Sequence, residues 1–139
     1  MSGEPTTDEL LAQVPLFAGL SKKELKQISS LATRLDLPAG KELTHQGKKG
    51  QEFLVVLKGD VDVVIDGKVV ATRGAGDFFG EIALLQDRPR TATVVAKTPV
   101  SLDVIGRSEF KTLIADQPAI AEQLLATVAQ RLDEDRLPR

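Results

Sequence analysis

The sequence has 139 residues, 42% hydrophobic and 27% charged, a length at which one domain buries roughly two-thirds of its unfolded surface without a covalent or metal staple. Its 18 basic and 20 acidic residues leave a formal charge of -2, which argues against a nucleic-acid-coating protein. With no Cys and one His, thiol catalysis, disulfides and Cys/His zinc clusters are excluded.

Residues 1–8 read as a loose start, 9–136 as one domain and 137–139 as a short tail. The N-terminus has neither the basic start nor the apolar core of a secretion signal. The longest apolar run, Phe53 to Leu57, is far below the roughly 20 residues that span a bilayer. A cytoplasmic protein with no membrane segment is the expectation. Thr6 and Glu9 suggest a capping box for a short helix through Leu10, Leu11 and Val14, ended by Pro15. Ser21 and Glu24 form a stronger box, and the helix after it places Leu25, Ile28 and Leu31 on one face.

From Leu35 the hydrophobic period changes to two. Short strands follow around Leu35–Leu37, Leu43–His45, Gln51–Leu57, Val61–Ile65 and Lys68–Arg73, separated by glycine-rich turns. Gly47-Lys48-Lys49-Gly50 reads as a solvated turn, and His45 as a half-buried strand residue with a satisfied nitrogen. Asp66-Gly67 is a two-residue hairpin signal, because both positions tolerate positive φ. Thr93–Ala96 and Val100–Val104 supply the closing strands. Ser108 is the expected cap of a helix through Phe110, Leu113 and Ile114, broken at Asp116-Gln117-Pro118. The last helix carries an apolar stripe of Ile120, Leu124, Val128 and Leu132. Hairpin-spaced strands with helices only at the two ends predict a mainly β fold: an antiparallel, jelly-roll-like β-roll flanked by helices.

Residues 80–94 read Gly-Glu-Ile-Ala-Leu-Leu-Gln-Asp-Arg-Pro-Arg-Thr-Ala-Thr-Val. Gly80 lets backbone approach a ligand closely. The residues from Glu81 can form a helical turn whose free N–H groups attract an anion. Arg90 presents a planar fork that suits two phosphodiester oxygens. Glu81 accepts hydrogen bonds and donates none, so it suits a sugar hydroxyl. A plain ion pair between Glu81 and Arg90 is the bland alternative. Without a second placed carboxylate or a carboxylate cluster for Mg²⁺, these residues support binding and not turnover, so no enzyme, catalytic residue, metal site or cofactor is expected.

This segment resembles the phosphate-binding cassette of cyclic nucleotide-binding domains, found in protein kinase regulatory subunits, bacterial catabolite activators and cyclic nucleotide-gated channels. Val14–Ser21, Leu37-Pro38-Ala39-Gly40, Gln46-Gly47 and Phe53–Gly59 resemble the family's earlier landmarks in the family's order. The resemblance covers roughly residues 10–136. It implies a sensor or regulatory module for cAMP or cGMP, with Glu81 on the ribose 2′-hydroxyl and Arg90 on the cyclic phosphate. Gly80 and the backbone of Ile82, Ala83 and Thr91 complete the implied ligand-binding set. Thr91 resembles domains that accept cGMP, so strict cAMP preference and dual binding stand as equal alternatives. The base would rest on aliphatic residues, under a lid drawn from Leu125, Val128, Arg131 or Leu132. The C-terminal helix would carry the signal to an effector domain or a second copy of the chain, with no nucleic acid bound by this chain. The rival reading is a ligand-free scaffold or assembly module of the same fold.

Overall fold

The computed structural model describes residues 7–50, 52–80 and 89–123, with residues 125, 126 and 129 of the last helix. Helix α1 (Thr7–Ala12) and a 3-10 turn at Pro15–Phe17 lead into α2 (Lys22–Leu31). Strands β1 (Thr33–Leu37), β2 (Glu42–Thr44), β3 (Glu52–Lys58), β4 (Val61–Ile65) and β5 (Lys68–Arg73) follow. Then come β6 (Phe78–Phe79), β7 (Thr93–Ala96), β8 (Val100–Gly106) and α3 (Arg107–Asp116), with residues 118–123 helical beyond it. Two four-stranded sheets result, ordered β1-β8-β3-β6 and β2-β7-β4-β5. All their pairings are antiparallel. This is the expected β-roll with flanking helices.

Local signals explain several elements. Ser21 Oγ accepts from the Glu24 N–H at 3.1 Å, and the Glu24 carboxylate accepts from the Ser21 N–H at 2.9 Å. The box satisfies two donors that a helix start leaves open. That hydrogen bonding also holds the Glu24 carboxyl below its usual range. Asp66 and Gly67 take φ of 52° and 81°, the left-handed pair that a tight hairpin requires. Thr6 lies outside the described residues. Ser108 does not cap α3: β8 runs directly into the helix, Gly106 is its N-cap, and no side chain bonds there. His45 lies just after β2 and its side chain is 49% exposed, with Nδ1 3.2 Å from Glu42 Oε1. Strand β6 was not anticipated; its two residues pair with Leu54 and Val55 of β3.

Two cores meet on β3. Val56 joins Val61, Val94, Ala96, Val100 and Leu102 between the sheets. On the opposite face, Phe53, Val55 and Leu57 pack under the helices with Leu11, Ile28, Phe110, Leu113 and Ile120. The Phe53 ring lies 4.7 Å from that of Phe110 and 5.5 Å from that of Phe78, centroid to centroid. An apolar run such as Phe53–Leu57 needs cover on both faces, and this arrangement supplies it. Gln27 ties α2 to the end of α3, donating to Asp116 Oδ2 at 3.3 Å.

One polar residue sits within this apolar layer. The register lays Arg34, Asp103, Val55 and Phe78 in a row across the first sheet. Asp103 is 1% exposed, and neither carboxylate oxygen has a hydrogen-bond partner among the described residues. Burial pushes its carboxyl up from 3.8 to about 6, opposed by the nearby Arg34 charge. An unfolded chain releases this proton near the ordinary aspartate value, whereas the folded chain holds it up to about pH 6. Asp103 therefore favours folding in acid, and that contribution, about 2–3 kcal/mol, is lost as pH rises through the folded value. Asp103→Asn is expected to stabilise the domain by about 1–3 kcal/mol above neutral pH and to flatten its pH dependence between about pH 4 and 6. Urea unfolding across that range checks it; an unchanged slope would mean that Asp103 titrates normally.

Candidate functional site

The segment entering β7 is laid along β2 and the turn after it. Thr44 Oγ1 donates to the Ala92 carbonyl at 3.0 Å, and the Gln46 N–H donates to Thr93 Oγ1 at 2.9 Å. The Gly47 N–H donates to the Arg90 carbonyl and the Arg90 N–H to the Lys48 carbonyl, both at 2.9 Å. The backbone of Arg90 is thus fixed from both sides. Gln46 also holds the β4–β5 hairpin, bonding the N–H and the carboxylate of Asp66 at 2.9 and 3.0 Å.

The Arg90 side chain reaches the start of β3, where Nη2 donates to the Glu52 carbonyl at 2.8 Å. Gly80 lies against the same group. A methyl at Gly80 would overlap Arg90 Nη1 and the Glu52 carbonyl oxygen. Gly80 has φ of 99°, a left-handed value that favours glycine. Gly80 and Arg90, ten positions apart in the sequence, are therefore brought together at one end of β3. Thr91 follows Arg90 and is exposed.

Glu81, Ile82 and Ala83 lie outside the described residues, as do the lid candidates Val128, Arg131 and Leu132. Leu125 is described and is 61% exposed, a large apolar surface facing solvent. The β2–β3 turn, expected only as a solvated turn, also supplies partners of Arg90. Gly47, Lys48, Gly50 and Glu52 all touch Arg90 through backbone or through an absent side chain. Only the glycine spacing of Gly47-Lys48-Lys49-Gly50 hinted that backbone, not side chains, mattered there.

A concavity of about 580 Å³ lies elsewhere, lined by Glu42, His45, Gln46, Gly47, Val64, Gly67, Thr93 and Val95. Val94 and Ala96 point into the roll core, so alternation sets Thr93 and Val95 on the outer face. This hollow is separate from the Arg90 guanidinium, and none of its lining residues is a lysine or arginine.

What the Arg90 corner supplies is a cation whose backbone is bonded on both sides and whose guanidinium is bonded at one edge, packed against Gly80. Such a corner suits a phosphate. Residues 34–117 match the family model described as the cyclic nucleotide-binding domain.

The chain belongs to the cyclic nucleotide-binding domain family.

Its relatives include a cAMP-dependent protein kinase regulatory subunit of Aspergillus fumigatus, 37% identical over 77% of this chain and 26% of that protein. A cyclic nucleotide-gated potassium channel of Rhizobium etli is 37% identical over 88% of this chain and 34% of the channel. The chain thus spans about a quarter to a third of these relatives. Among solved structures, the Thermus thermophilus catabolite activator protein superposes with a TM-score of 0.80 at 34% identity, covering 87% of this chain and 59% of that one. The nucleotide-binding domain is therefore a part that recurs inside longer proteins of several kinds.

Proposed function

We propose that this domain is a sensor that binds a cyclic nucleoside monophosphate, cAMP or cGMP, and reports it through its C-terminal helix. The seating of Arg90 carries the reading. The guanidinium is held at the Glu52 carbonyl and beside Gly80, at the point where the cassette enters β7. The names of the relatives, a cAMP-dependent kinase subunit and a cyclic nucleotide-gated channel, support it.

In this reading Arg90 takes the cyclic phosphate with backbone N–H groups of Ile82, Ala83 and Thr91, and Glu81 takes the ribose 2′-hydroxyl. Aliphatic side chains of the roll hold the base, since the chain has no Trp or Tyr. The residues perform no bond-breaking step, so the domain is a binding module and not an enzyme, and it needs no metal or other cofactor. A cytoplasmic setting suits such a sensor. Among the described residues no helix is long and apolar enough to cross a membrane. The partner at the C-terminal helix is an effector domain or a second copy of the chain.

Calorimetric titration with cAMP and cGMP tests the reading directly. Micromolar or tighter binding is expected; no binding of either would favour the scaffold reading. Truncating one member of a buried charge pair costs about 2–5 kcal/mol, so Arg90→Ala is expected to weaken binding at least about tenfold. A folded Arg90→Ala variant with full affinity would remove Arg90 from the site.

Glu81→Ala is expected to weaken binding of the ribonucleotide far more than that of its 2′-deoxy analogue, because only the former offers the hydroxyl. Equal losses would mean that Glu81 organises the cassette without touching the sugar.

The last helix supplies the third check. Ligand is expected to slow amide hydrogen exchange across residues 118–136, as a lid such as Leu125 leaves solvent for the base. Protection confined to residues 80–91 would place the output elsewhere.

A further inference from the structure

Arg90 lies between two glycines, and the reasons for glycine at the two positions differ. Gly80 has a positive φ, and a methyl there would meet the Glu52 backbone carbonyl as well as Arg90. A side chain at Gly80 would therefore strain the backbone itself. Gly50 has no such constraint. Gly19, Gly40, Gly47, Gly59, Gly67, Gly76 and Gly80 have positive φ, and Gly50 is not among them. Its φ lies outside the left-handed range that favours glycine. The three atoms nearest to a methyl at Gly50 are Nε, Nη2 and Cζ of Arg90, all of the guanidinium, and it would overlap each of them.

We propose that Gly50 is a positioning residue: its missing side chain is the seat that orients the Arg90 guanidinium toward the phosphate. The proposal rests on the reading of Arg90 as the phosphate ligand. The turn that carries Gly50 is tied to the Arg90 backbone through Gly47 and Lys48. The strand just beyond it offers the Glu52 carbonyl to Nη2. Gly47, Lys48 and Glu52 therefore hold Arg90 by its carbonyl, its N–H and one edge of its fork, and Gly50 leaves room for the fork between those points. The seat leaves the plane of the guanidinium little freedom, and bidentate recognition of a phosphate depends on that plane. A side chain at position 50 pushes away the far end of a flexible arginine, which moves at small cost to the fold. The cation is lost from its place while the β-roll stays intact.

The test is a double-substitution cycle on the full chain with Gly50→Ala and Arg90→Ala, read in three ways. Gly50→Ala is expected to keep the urea unfolding midpoint and to weaken cAMP or cGMP binding by about tenfold or more. In an Arg90→Ala background, Gly50→Ala is expected to change affinity no further, since the group it displaces is gone. In the nucleotide-free protein, the ¹⁵N resonance of Arg90 Nε, assigned by its loss in Arg90→Ala, is expected to shift in Gly50→Ala.

Additive affinity losses, an unshifted Nε signal, or a Gly50→Ala chain that unfolds would each overturn the seat. Full affinity in Arg90→Ala is a different result, because it would overturn the assignment of Arg90 to the phosphate and with it the purpose of the seat. The Nε measurement needs no nucleotide, so failure of the contact and failure of the ligand reading are told apart.

Discussion

Everything in this domain leans on β3 being buried on both faces. Phe53, Val55 and Leu57 lie in the helix-side core while Val56 lies in the roll core. Each fully buried side chain of this size contributes about 1.5–3 kcal/mol by leaving water. A strand held on both sides is the least mobile place from which to hang a binding group. Its first residue, Glu52, presents the carbonyl that receives Arg90. The same packing that stabilises the fold therefore fixes one wall of the candidate site.

Electrostatics bears on the proposed use of the site. A guanidinium is always charged, and drawing it toward a partly enclosed corner costs solvation. The Glu52 carbonyl is one of the groups that receive the Arg90 guanidinium. An incoming phosphodiester supplies a full negative charge and two oxygens at the spacing of the fork. Asp103 shows the opposite case within the same molecule. Its carboxylate is buried without a hydrogen bond among the described residues, and burial disfavours its charged form. One ionic group is the proposed ligand for a phosphate, whereas the other destabilises the fold when ionised.

Much of this was legible in the sequence where the cause is local. The Ser21/Glu24 box and the Asp66-Gly67 turn involve residues within a few positions of one another, and both appear as expected. The β-roll itself followed from strand spacing, and the family from the order of the motifs. What escaped the reading depends on distant chain. Ser108 looked like a cap, but β8 continues to Gly106, leaving Ser108 already inside α3. Two phenylalanines are too few to announce a strand, and β6 exists because β3 offers it an edge. The turn at residues 47–50 looked solvated because its lysines are exposed. Its importance lies in backbone groups and in an absent side chain, and neither leaves a mark in composition.

The two faces of β3 also bear on how a signal would leave the site of the proposed sensor. Glu52, whose carbonyl receives Arg90, is followed directly by Phe53, whose ring packs on Phe110 of α3. One peptide unit thus separates the Arg90 corner from the helix layer. Adjacency alone carries no signal, because coupling requires an element with two arrangements that the ligand biases differently. Strand β3, buried on both faces, is a poor candidate for that element. The last helix is a better one: Ile120 anchors it in the core at 1% exposure, while Leu125 stands at 61%. A helix fixed at one end and uncovered further along has apolar surface that gains by finding cover. A bound base and a partner chain are the two surfaces that can provide it. In the proposed sensor, competition between them for the same residues would turn occupancy of the site into a change at the domain's edge.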